Sequence, residues 1–113
     1  MLGDGAYGEV FKAQNKITKQ IVALKQMKLL IESEGVPSTV IREISILREF
    51  SHPNIVKLID IIIQDKSIYV ILEYLDSDLK NYLENMDRDR YLSQLQVKNI
   101  MYQLLLVNFS LIN

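Results

Sequence analysis

Three glycines open the chain, at Gly3, Gly5 and Gly8, and two charged residues, Lys25 and Glu43, follow in separate apolar segments. Glycines at G-x-G-x-x-G spacing let a backbone turn tightly and bring its N–H groups against phosphate oxygens. The spacing alone leaves two chemistries open, because a dinucleotide-binding turn has the same glycines and then starts a helix. Here Val10-Phe11-Lys12-Ala13 reads as strand, followed by a turn at Asn15-Lys16 and a second strand over Gln20–Lys25. A glycine loop joining antiparallel strands is a flap over a nucleotide; a hairpin with no ligand is the plainer alternative.

In the second strand, alternation places Ile21, Ala23 and Lys25 on one face. A lysine ending an apolar face can bury its stem and keep its ammonium in water. Glu43 belongs to a helix expected from Pro37 to Phe50, since Pro37 suits the first helical position and no Gly or Pro follows until Pro53. At about 100° per residue, with Glu43 as origin, Phe50 falls at roughly −20°, Leu47 at roughly +40°, Ile46 at roughly −60° and Val40 at roughly +60°. Glu43 is therefore expected in the middle of the apolar arc, where a lone carboxylate is costly. Lys25 is the cation that solves this, and pairing relieves both groups. Lys19, at the turn end of the strand, and Lys28, expected to follow it, compete less well. The plainer alternative is a wider arc with Glu43 reaching water. Ile41 is the second oddity, an apolar residue on the back face with Ser45 and Arg48.

The elements that must position these groups form an α+β fold. Ser51–Asn54 reads as a turn in which His52 is structural. Ile55–Ile63 and Ile68–Leu72 read as strands joined by a hairpin turn at Gln64-Asp65-Lys66-Ser67. Asp78 suits the N-cap of a short helix over Leu79–Asn85. Ser93-Gln94-Leu95-Gln96 is a capping box opening a helix with Val97, Ile100, Met101, Leu104 and Leu105 on its apolar side.

At 113 residues and 49% hydrophobic content, the chain has one domain's worth of sequence and enough apolar residues for a core. A formal net charge of −1 gives no electrostatic footprint for nucleic acid or an anionic membrane. With no cysteine and one histidine, disulfides and thiolate or histidine-cluster metal sites are not expected. No signal peptide or membrane-length apolar run is seen, so an intracellular setting, cytoplasm and/or nucleus, is expected.

Gly3 to Val10 resembles the glycine-rich loop of eukaryotic protein kinases, Val22-Ala23-Leu24-Lys25 their V-A-[IL]-K strand, and Glu43 the glutamate of their αC helix. Gly35-Val36-Pro37-Ser38-Thr39-Val40-Ile41-Arg42-Glu43 resembles more narrowly the signature helix of cyclin-dependent kinases, with Val40 where that family usually has Ala. The resemblance runs through Ile44–Leu47 and His52–Val56 to about Leu106, and fails within Val107–Asn113. It implies a kinase N-terminal lobe over residues 1–75 and the start of a C-terminal lobe over 76–113. It implies ATP with Mg2+ as cofactor, and cyclin and protein substrates as partners. ATP would be held by Leu2, Gly3, Asp4, Gly5, Ala6, Tyr7, Gly8, Glu9, Val10, Ala23, Lys25, Glu73, Leu75 and Asp78. Lys25 and Glu43 would position phosphates, Leu72 would be the gatekeeper where close relatives carry Phe, and backbone groups at Glu73 and Leu75 would meet adenine. Asp78 would sit near ribose. Cyclin would dock on Val36, Ile41, Arg42 and Arg48, and Tyr7 would be an inhibitory phosphorylation site, with Ala6 where the family usually has a second one.

The sequence departs from the family in three ways. It contains no H-R-D-x-x-x-x-N and no D-F-G segment, which by resemblance supply the base and the metal ligands. Residues 1–113 alone are therefore expected not to transfer phosphate. Only Met1-Leu2 precedes the glycine loop, so a weakly anchored flap is expected. Three readings stand together: a portion of a cyclin-dependent serine/threonine kinase, a truncated non-catalytic kinase that binds cyclin as a decoy, and an unproductive piece from a misread gene end. A dinucleotide oxidoreductase is disfavoured by the missing strand–loop–helix order.

Overall fold

The computed structural model describes residues 3–5, 8–28, 38–87 and 90–112, which belong to two compact units, one of residues 1–51 with 56–74 and one of 52–55 with 75–113.

The first unit carries an antiparallel five-stranded sheet in the order β1-β2-β3-β5-β4. Its strands are β1 (Gly3–Gly5), β2 (Gly8–Gln14), β3 (Ile21–Lys28), β4 (Leu58–Gln64) and β5 (Ser67–Glu73), with helix α1 (Ser38–Glu49) between β3 and β4 in sequence. This is the α+β architecture expected from the sequence. The glycine segment itself forms an edge strand, pairing Gly3 with Val10 and Gly5 with Gly8.

The first turn is longer than the Asn15-Lys16 pair expected. The Asn15 side-chain oxygen accepts N–H bonds from Ile17 (2.9 Å) and Thr18 (3.1 Å), and its carbonyl accepts one from Lys19 (2.9 Å). Asparagine closes turns in this way because its side chain mimics a backbone carbonyl. Strand β3 does not stop at Lys25 but runs to Lys28, which pairs with Ser67, because β5 accompanies it along its whole length. The Gln64–Ser67 hairpin forms as expected, with both central residues at positive φ (Asp65 47°, Lys66 62°). That is the turn whose twist matches its strands.

Beyond this hairpin, β4 carries a bulge between Leu58 and Asp60. Simple alternation would put Ile59 on the same face as Ile61. The extra residue instead brings Leu58 onto that face, where Leu58 and Ile61 both pack on the core. The core consists of Met27, Val40, Ile68 and Val70, with Ile44, Leu58, Ile61 and Leu72 against it; Ile68 is only 2% exposed. Each of the four buried side chains stabilises the fold by about 1.5–3 kcal/mol.

Helix α1 meets this core through Val40 and Ile44, with Leu47 half-buried on the same stripe. The stripe is therefore displaced from the arc read from sequence. Ile46, assigned to that arc, is 49% exposed, and Glu43 lies at its rim rather than its middle. The physical reason is the sheet's shape: the helix turns toward whichever stripe fits Met27, Ile68 and Val70, and helical period alone does not specify that angle.

The second unit contains α2 (Leu79–Glu84) and α3 (Gln94–Ile112), neither with a buried residue. Asp78 caps α2 by accepting the Asn81 N–H at 2.7 Å. Ser93 and Gln96 exchange both bonds of the capping box, Ser93 N–H to the Gln96 side chain (2.8 Å) and Gln96 N–H to the Ser93 hydroxyl (3.2 Å). His52 is structural, as read: its Nδ1 accepts the Asn54 N–H at 3.0 Å, and Asn54 in turn reaches the Gln103 carbonyl of α3 at 3.4 Å. Among the described residues, no helix is long and apolar enough to cross a membrane.

Candidate functional site

The sheet register places the chemistry. One cross-strand row holds Val10, Lys25, Val70 and Ile61; the next holds Lys12, Ala23, Leu72 and Leu58. Directly paired residues share a face, so Val10, Ala23, Lys25 and Leu72 stand on the face that also carries Met27, Ile68 and Val70. Glu9 pairs with Gln26 and so belongs to the opposite face. Its backbone, but not its carboxylate, is available to the Lys25 side.

Lys25 Nζ donates to Glu43 Oε1 at 3.0 Å, with the lysine side chain 20% exposed and the glutamate 46%. The two residues meet, but not as the buried pair expected from sequence. Glu43 reaches the lysine from the rim of α1, with its side chain still nearly half exposed. Partly exposed ion pairs of this kind are worth about 0.2–1 kcal/mol, so the contact orients more than it stabilises. An ammonium has three donors. With one given to Glu43, two remain for an anion brought to this face.

Gly8 stands at φ 150°, and a Cβ there would collide with the Gln26 carbonyl oxygen. The third glycine of the motif is thus required by the close approach of β2 to β3, a packing reason that the phosphate-loop reading had not supplied. Gly3, Asp4 and Gly5 form β1, paired with Val10, Glu9 and Gly8 of β2. Leu2, Ala6, Tyr7 and Val36 lie outside the described residues.

At the far end of β5, Glu73 is tied twice to Lys57. Its N–H donates to the Lys57 carbonyl (3.0 Å) and its Oε1 accepts the Lys57 N–H (3.0 Å). Only the Glu73 carbonyl is therefore left to serve a ligand from that backbone. Leu75 and Asp78 belong to the second compact unit. Both Asp78 oxygens are engaged by Asn81, one by its N–H and one by its side-chain amide at 3.1 Å, which is the capping role rather than a free carboxylate. On α1, Ile41 is 53% exposed, and Arg42 and Arg48 are exposed beside it.

Two contacts were not read from sequence. Lys12 Nζ lies 4.6 Å from the centre of the Tyr74 ring, and the Glu73–Lys57 pair closes the β4–β5 ladder. Alternation from Val10 would have put Lys12 on the right face, but no sequence signal brings it to Tyr74. Counting back from the Gln64–Ser67 turn would have paired Glu73 with Leu58; the bulge shifts it to Lys57.

A cleft of about 600 Å³ in the second unit, lined by residues that include Tyr82, Met86, Arg90 and Tyr91, contains none of the candidate nucleotide-site residues. Among the described residues, no group of three or more His, Cys, Asp or Glu could hold a metal ion. A family model described as protein kinase domain matches residues 1–107.

Proposed function

The chain belongs to the protein kinase family, and from that premise we propose that it is the nucleotide-binding portion of a cyclin-dependent serine/threonine kinase. Members of the family transfer the terminal phosphoryl group of ATP, with Mg2+, to protein substrates. The observation that carries the proposal is the Lys25–Glu43 pair at 3.0 Å on the face shared with Val10, Ala23 and Leu72. That arrangement sets a cation at one end of an apolar patch, as a nucleotide with an anionic chain and a flat base requires.

In this reading the backbone of Gly3–Gly5 and Gly8 covers the phosphates and Lys25 holds them, oriented by Glu43. Val10, Ala23 and Leu72 face the base, and the Glu73 carbonyl accepts from it. The described residues offer Mg2+ no set of ligands, and the proton-accepting and D-F-G aspartates of the family are not among the 113 residues. The role assigned here is therefore binding and positioning. The narrower, cyclin-dependent reading is supported by the Gly35–Glu43 sequence together with the outward Ile41 and its neighbours Arg42 and Arg48. An apolar residue amid charges on an exposed helix face suits a protein partner.

The test is titration of the 113-residue chain with a fluorescent ATP analogue and, separately, with a purified cyclin. Lys25→Met should weaken the nucleotide at least about tenfold, equivalent to about 1.4 kcal/mol, and Ile41→Asp should weaken only cyclin. Unchanged nucleotide affinity in Lys25→Met would defeat the nucleotide reading. Unchanged cyclin affinity in Ile41→Asp would defeat the cyclin reading alone.

A further inference from the structure

We infer that Lys12 and Tyr74, together with the Glu73–Lys57 pair, form a clasp that fixes the end of β5 for the base end of the nucleotide, with Lys12 a positioning residue and not a phosphate ligand. The inference rests on the nucleotide-site reading above. Lys12 and Lys25 stand on the same face of the sheet, one row apart. Two lysines so close on one face would suggest two cations for one phosphate chain. Their partners separate them. Lys25 is held by a carboxylate on α1, whereas the Lys12 ammonium lies 4.6 Å from the Tyr74 ring centre, beyond the end of β5.

The contact spans a strand. Lys12 is on β2 and Tyr74 follows β5, with β3 between them in the sheet. The β3 residue opposite Lys12 is Ala23, which in turn faces Leu72 on β5. A methyl group at that place leaves room across β3 that a larger side chain would fill.

Glu73, immediately before Tyr74, is tied on its other flank to Lys57 by the two bonds at 3.0 Å. The chain is thus gripped from both sides of the sheet, by β2 through Tyr74 and by the segment entering β4 through Glu73. The grip falls on the last two residues before the second compact unit begins at Leu75. Between these ties lies the Glu73 carbonyl, the group assigned to the base. Holding its direction before the ligand arrives lowers the ordering cost of binding. An exposed cation–π contact corresponds to about a two- to five-fold change in affinity.

The experiment separates the base end from the phosphate end. The 113-residue chain, carrying a fluorescent ATP analogue, is competed with ATP and, in parallel, with inorganic triphosphate, both with Mg2+. Lys12→Met should weaken ATP about two- to five-fold and leave triphosphate unchanged, while Lys12→Arg should retain ATP binding. Tyr74→Leu should match Lys12→Met, and the double variant should be no weaker than either single one. Equal weakening of both ligands by Lys12→Met would make Lys12 a phosphate ligand and overturn the clasp. No effect on either ligand, or additive losses in the double variant, would overturn it too. Lys25→Met serves as the reference. If it affects neither ligand, or if the chain binds neither, the nucleotide reading itself fails and the clasp with it.

Discussion

Helix α1, of 12 residues, lays Val40, Ile44 and Leu47 toward the sheet and keeps charges elsewhere, whereas α3, of 19 residues, buries none of its side chains among the described residues. The contrast does not come from a lack of apolar residues in α3. Leu95, Val97, Met101, Leu104, Leu105 and Phe109 are all exposed along it. In α1, by comparison, Arg42, Glu43, Ser45, Arg48 and Glu49 occupy most of the sides away from the stripe, with Ile41 and Ile46 the apolar exceptions. A helix with one apolar stripe can be satisfied by one sheet, while a helix apolar on most sides needs neighbours on most sides. The first unit supplies the one neighbour α1 needs. The second unit, among its described residues, has no sheet to offer α3, only the short α2 and irregular segments.

The largest effect expected from this difference is association. Leaving one large apolar side chain in water forfeits about 1.5–3 kcal/mol, and α3 exposes several. The 113-residue chain should therefore self-associate in sedimentation velocity at micromolar concentration, and a chain ending at Asn85 should be markedly more soluble. A stable monomer with the amides of residues 94–112 protected from hydrogen exchange would break the comparison, because α3 would then have found cover.

The next effect is on stability. Ile68→Ala empties a site that α1 helps to close and should cost about 2–5 kcal/mol, whereas Leu104→Ala on α3 should change stability by no more than about 0.5 kcal/mol. Urea unfolding of both variants checks this. Comparable losses would mean that α3 is packed as firmly as α1.

The smallest effect sharpens what attaches α1 apart from its stripe. A double-mutant cycle on Lys25→Met and Glu43→Gln should give a coupling of about 0.2–1 kcal/mol that shrinks at high salt, as for other partly exposed pairs. Additive losses would show that α1 is held by apolar contact alone.

Much of the site was legible because its signals are local or chemically complementary. The Ser93–Gln96 capping box and the Gln64–Ser67 hairpin depend on residues within a few positions of each other, and both form as read. Lys25 and Glu43 could be matched across 18 positions because each is anomalous on an apolar segment and each supplies what the other lacks. Other features left no local trace. The end of β3 at Lys28 depends on how long β5 stays beside it. The glycine at position 8 was read for a ligand, while the structure requires it for the Gln26 carbonyl.

The sequence by itself determined the order of β2–β5 and α1–α3, the caps, the Gln64–Ser67 turn and the pairing of Lys25 with Glu43. Those follow from backbone preference, alternation and charge, which act over a turn or a strand. Only the tertiary structure decided the rotation of α1 that moves Glu43 to the rim, the bulge that gives Glu73 to Lys57, and the reach of Lys12 to Tyr74. Each of these depends on the register and spacing between elements distant in sequence, set by how side chains from several strands fill a common space. No single segment carries that information.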